Sequence, residues 1–214
     1  MSSLSRAKPV LSLELIVTTA IRMADADGLD RLGMRRLGQE LSVEAMSLYH
    51  HLRDKDALLD AMIDVVFIEI ETPTAPSWRD GLRQRADSQR AALHRHRWAL
   101  QVLESRSHPG LATLQHHDQV LGYLRAAGFG VRACGSVFSL VDAYVFGFLL
   151  TELQLPFDAE SAPAIASELL GLTAQFPHFG EYLKEVILSG PYDYADEFHI
   201  GLEVVLDAAE RLRS

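Results

Sequence analysis

The side chains with most to offer chemically crowd one short run: Glu44, Ala45, Met46, Ser47, Tyr49, His50 and His51, with Arg35 upstream and Lys55 just downstream. They supply donors, acceptors and small apolar groups, but no nucleophile stands beside a base at motif spacing. GxSxG, HExxH, CxxC and a glycine-rich phosphate loop are all missing from the sequence, so acyl transfer, zinc hydrolysis and nucleotide chemistry have no local signature. An all-α enzyme or ligand carrier with a merely structural N-terminal segment is the competing reading, and it has no constellation to rest on. What the run can do is recognise. Ser47 and Tyr49 offer hydroxyls to phosphate oxygens, and Ala45 and Met46 fit a thymine methyl. Arg35 can reach a guanine edge or a phosphate, and Lys55 at a helix start meets a phosphate with help from the helix dipole.

Such contacts need a rigid support, and the surrounding pattern predicts one. Residues 34–41 carry Leu37 and Leu41 at i, i+4, Ser42 breaks the pattern, and residues 44–51 form a second short helix whose Leu48 points inward together with Leu52. Two helices too short to stand alone, joined by a turn, have the geometry of a helix-turn-helix, whose second helix enters the DNA major groove. A first helix from about Ser12 to Gly28 supports them, with Leu13, Ile16, Val17, Ala20, Ile21 and Ala24 on one face. Asp54 reads as the N-cap of a fourth helix, residues 54–71, that connects this three-helix head (residues 1–55) to the remainder (residues 72–214). Arg6 and Lys8 belong to a short polar arm, either a solvated tail or an arm that touches phosphate or the minor groove.

The rest of the chain shows no sustained period-2 alternation, so the fold class is all-α, with a helical bundle as the body. Helical spacing covers residues 77–95, 96–105, 111–127, 131–155, 164–175, 181–188 and 194–213. His108, Pro109 and Gly110 read as a turn, residues 156–163 as a loop and residues 176–180 as a turn. Residues 131–155 are the most apolar stretch, interrupted by Asp142 and shorter as a pure apolar run than a bilayer needs. No membrane association is expected. That helix and the last one, with Phe198, Leu202, Val205, Ala209 and Leu212 on one face, are expected to build an intersubunit four-helix bundle in a homodimer.

At 214 residues, 48% hydrophobic and 23% charged, the chain can bury a sizeable core. Through Lys55 eight Lys or Arg face seven Asp or Glu, a balance of +1; with −9 for the whole chain, the remainder carries −10. An acidic body directs any DNA affinity to the head. One cysteine, Cys134, and an N-terminus without a basic start and apolar run suit the cytoplasm. Cys134 reads as a small buried packing residue.

A small-molecule site is expected among the middle helices. Trp98, Leu103, Leu121, Phe138, Tyr144 and Phe148 are candidates to line it, or equally to pack the core, with His94, Gln101, His117 or Asp142 as orienting polar groups. These residues suit an apolar or aromatic ligand. Of the nine histidines only His199 shares a face with an acid, Glu203 at i, i+4, so no metal and no cofactor is expected.

The stretch GLDRLGMRRLGQELSVEAMSLYHHLRDKDALLDAM resembles the N-terminal domain of the TetR family of bacterial repressors. More loosely, Ser77-Trp78-Arg79-Asp80, Gly128-Phe129, Phe176-Pro177-His178-Phe179 and Phe198-His199-Ile200-Gly201-Leu202-Glu203 are similar to the C-terminal domain of the tetracycline-repressor branch. The resemblance implies DNA contacts from Arg35, Glu44, Ala45, Met46, Ser47, Tyr49, His51 and Lys55. It also implies a ligand-responsive repressor that holds a palindromic operator as a homodimer. Gly33 and Met34 depart from the pattern, because the usual Thr or Ser would supply a hydroxyl cap and a phosphate contact. The magnesium-binding His and polar drug contacts of the tetracycline repressor align with Glu71, Arg85, Gln89, Leu103, Val120 and Thr151. That constellation does not survive, so neither tetracycline nor a magnesium chelate is expected.

Overall fold

The apolar stripe of the first helix finds its partners close by in sequence. A computed structural model describes residues 10–105 and 109–213; Arg6, Lys8 and His108 lie outside them. The described residues are helical without a strand, and the chain divides into two compact units, the first ending at Tyr123 and the second beginning at Leu124.

In the first unit, α1 (Leu13–Asp27) starts where Ser12 Oγ accepts the Leu15 amide and stops at Gly28, whose φ of 83° suits a residue without Cβ. Ile16, Val17, Ala20, Ile21 and Ala24 are buried; Leu13, expected among them, is exposed. α2 (Met34–Glu40) and α3 (Ala45–Leu48) are joined through Ser42 at φ 55°, the tight turn that the broken spacing predicts. Gly38 makes that turn possible, since a Cβ there would come within 2.9 Å of the Val43 carbonyl oxygen. The second helix is shorter than expected. Only residues 45–48 are helical, and Tyr49, His50 and His51 follow in turns.

α4 (Lys55–Glu69) is capped by Asp54, whose carboxylate accepts the Ala57 amide at 2.8 Å. Leu58, Met62, Ile63, Val66 and Phe67 bury its face against α1, α5 (Trp78–Arg95) and α6 (Trp98–Ser105). Asp64 of α4 also caps α7 (Leu111–Ala126): its carboxylate accepts Thr113 Oγ1 at 2.9 Å and the Ala112 and Thr113 amides. Gly110 is required there, because a Cβ would stand 2.2 Å from Asp64 Oδ2.

The corner between α5 and α6 is tied to the head by a polar group. His96 is buried; its Nδ1 lies 2.8 Å from Asp25 of α1 and its Nε2 3.3 Å from Glu69 of α4. The Trp98 indole N–H donates to the same Asp25 at 2.6 Å, and Arg95 to Glu69 at 2.6 Å. Three carboxylate-bridged helices therefore meet where the connecting helix ends.

In the second unit, α8 (Val131–Glu152) buries Cys134, Val137, Val141, Val145, Phe148 and Leu149 at spacings of three and four. It runs 22 residues, long and apolar enough by composition to cross a membrane, where the sequence pattern led us to expect too short a run. α11 (Glu197–Glu210) packs on it with Phe198, Leu202, Leu206 and Ala209, whereas Leu212 is exposed. Tyr144 donates to the Phe198 carbonyl at 2.8 Å, an approach that Gly201 permits. Between them, α9 (Ala162–Leu170), α10 (Pro177–Tyr182) and a π turn at Leu183–Ile187 enclose Ala166, Leu183, Ile187 and Tyr192. Two expectations need correction here. α9 begins before Pro163 and ends at Leu170, and residues 176–180, expected as a turn, lie largely in α10. Pro177 starts that helix because a first-turn residue needs no amide donor.

Candidate nucleic-acid interface and ligand site

The outward face of the head is fixed from within. Leu48 is fully buried and Leu52 nearly so, which anchors α3 and turns Glu44, Met46, Tyr49, His50 and His51 to solvent. Ala45 and Ser47 are half-buried at the same surface, and Met46 is 72% exposed, a large apolar side chain with no intramolecular use. Arg35 on the second turn-side of α2 and Lys55 at the first position of α4 are exposed. The other head cations are engaged: Arg22 pairs with Glu40 and Arg36 with Asp27, each at 2.5 Å. Gly33 is the N-cap of α2 and contributes no side-chain acceptor. All nine expected DNA-contact residues thus lie on α2, on α3 and the turns after it, or at the start of α4.

The expected ligand-site residues do not fall in one place. His94, Trp98, Gln101, Leu103, His117 and Leu121 belong to the first unit, Phe138, Asp142, Tyr144 and Phe148 to the second. His94 is exposed at the end of α5, and Gln101 and Trp98 border a surface cleft beside Asp25. Leu103 and Leu121 are half-buried, and His117 sets its ring edge-on to Phe67 at 6.0 Å. In the second unit Tyr144 and Phe148 join Phe198 and Tyr194 in an aromatic group, with Phe148 stacked on Tyr194 at 4.8 Å. Phe138 and Asp142 are half-buried on α8.

Three polar residues that the sequence pattern did not bring to the fore are buried. The inner face of α5 is Trp78, Gly81, Leu82, Arg85, Ala86, Gln89, Ala92 and Leu93. Arg85 and Gln89 occupy positions that helical spacing reserves for apolar residues, a signal present in the sequence. Arg85 donates from Nε to His116 Nε2 at 3.0 Å. Burial, and then the Arg85 charge, hold the His116 pKa down to about 4, so its imidazole is neutral and accepts.

A three-helix head that presents an anchored short helix, followed by an all-helical body, defines a helix-turn-helix DNA-binding regulator. The chain agrees with two family models: residues 16–62 with the bacterial regulatory proteins of the tetR family, and residues 72–212 with the tetracyclin repressor-like C-terminal domain. It belongs to the TetR family of transcriptional regulators and is not an enzyme. It is 34% identical to an HTH-type transcriptional regulator of Saccharopolyspora erythraea, covering 81% of this chain and 75% of that protein. It is 33% identical to the HTH-type transcriptional repressor DrrR1 of Streptomyces coeruleorubidus, covering 96% and 79%. The TetR family protein ActR of Streptomyces coelicolor, in complex with actinorhodin, superposes with a TM-score of 0.79 at 27% identity, covering 95% of this chain and 98% of that one. Membership makes α8 a core helix of the regulatory domain.

Proposed function

We propose that the protein is a ligand-responsive repressor that binds a palindromic operator as a homodimer in the cytoplasm and is released by an apolar or aromatic small molecule. The observation that carries the DNA reading is the recognition surface itself, where Met46, Tyr49 and His50 stand outward while Leu48 holds the helix from below. Residues 1–55 act as the reading head, the helix within residues 54–71 as the connector and residues 72–214 as the effector and dimerisation domain. Arg35, Ser47, Tyr49 and Lys55 meet phosphates or base edges. Glu44 can only accept, so it faces a base amino group rather than the backbone.

The dimer reading rests on apolar surface that one chain leaves uncovered. On α11, Ile200 and Val204 are 61% and 66% exposed one turn apart, and Leu140 of α8 is also exposed. A second copy that covers α8 and α11 would form the expected four-helix bundle. The ligand reading draws on ActR, whose structure holds actinorhodin. Ligand binding favours one conformation of the body and so changes the separation of the two heads, which must stand about 34–36 Å apart to enter successive major grooves.

Selection of bound DNA from random oligonucleotides tests this reading. A palindrome with half-sites one helical turn apart is the expected result. No enrichment at low salt would overturn it.

A further inference from the structure

Gln89 is fully buried on α5, and neither its amide nitrogen nor its carbonyl oxygen has a hydrogen-bond partner. Leaving a buried polar group unsatisfied costs about 1–3 kcal/mol, and the apolar stripe around it would accept Leu or Met at no such cost. One turn earlier Arg85, also fully buried, donates to His116. His116 is neutral, so the guanidinium remains the fixed positive charge of the cluster. Phe67 sets its ring edge-on to His116 at 5.8 Å, and Phe67 belongs to α4, the helix that leads from the head.

We propose that Gln89, Arg85 and His116 form the polar end of the effector site, and that the effector is an aromatic molecule with an acidic oxygen group, a carboxylate or an ionised phenol. The acidic oxygen accepts from Gln89 Nε2 and meets the Arg85 charge, and a neighbouring hydroxyl on the effector donates to Gln89 Oε1. Phe67 is within reach of an occupant at this cluster, which gives ligand binding a direct mechanical link to α4. The inference rests on the ligand-responsive reading above and gives it a chemical class.

The test uses the full-length protein with 1-hydroxy-2-naphthoic acid and its methyl ester, two probes alike in ring and hydroxyl but different in charge. Calorimetric titration is expected to show the acid bound at least about tenfold more tightly than the ester. Gln89→Met should bring the two within about twofold while it melts no lower than the unmodified protein, since it removes an unsatisfied amide at similar volume. Gln89→Glu, which puts an anion beside Arg85 from within the chain, should weaken the acid by more than about tenfold and leave the ester unchanged. Equal binding of acid and ester, or binding of neither below about 1 mM, would overturn the proposal. Undiminished preference for the acid in both Gln89 variants would overturn it as well. A Gln89-dependent preference for the acid without operator release supports the site and counts against ligand-driven release. Release by the ester alone, with no Gln89 dependence, does the reverse.

Discussion

Arg85 and Gln89 show how a single residue type can run against its helix position. A guanidinium and an amide stand where spacing calls for Leu, and only the fold shows that both are enclosed and that His116, thirty-one positions away from Arg85, accepts from it. The neutral imidazole has a measurable consequence. Its folded pKa of about 4 lies below the ordinary 6.5, so between those values the unfolded chain binds more protons than the native one. The stability held by this group is complete above pH 6.5 and is lost as pH falls toward 4. At about 1.4 kcal/mol per pKa unit its upper bound is about 3 kcal/mol. Melting temperatures measured across that interval should fall, and His116→Gln, which keeps an acceptor for Arg85 without titrating, should flatten the profile. On the DNA side, Ser47→Ala and Tyr49→Phe should each weaken operator binding roughly fivefold, the worth of about 1 kcal/mol per hydrogen bond, in a gel-shift titration. An unchanged shift would remove either residue from the contact set.

At the scale of elements, two close approaches decide whether the helices can meet. Gly38 lets the turn between α2 and α3 close, so Gly38→Val should cost roughly 1–3 kcal/mol and abolish operator binding, read by calorimetry and gel shift. Asp64 joins α4 to the N-terminus of α7, and Asp64→Ala should lower stability by about 1–2 kcal/mol through the lost cap. Ser12, Gly28, Ser42 and Asp54 act as the turn and cap signals that the sequence pattern predicts, because capping is decided by neighbours within four residues. α10 is different. Phe176-Pro177 reads as a break, yet the proline starts a helix, and Gly180 packs against Thr173 where a Cβ would stand 2.8 Å away. The cap of α7 was equally hidden, since its acceptor lies on another helix.

For the whole molecule, the acidic body and the near-neutral head make binding depend on two heads acting together. Ile200→Glu combined with Val204→Glu should convert a dimer to monomers in light scattering and weaken operator binding on the order of a hundredfold, the loss of an intramolecular second contact. An unchanged mass would sink the proposed α8–α11 interface. Sequence alone determined the all-helical class, the head with its turn at Ser42, the inward Leu48 and Leu52, and membership of a family, because these follow from periodicity, local turn chemistry and a contiguous motif. Tertiary structure alone decided that His96 and Trp98 converge on Asp25, that Asp64 caps α7, and that Gln89 is enclosed beside Arg85 and His116. Each of those joins side chains far apart in sequence, and hydrogen bonding and burial depend on distance in space, which helical periodicity does not encode.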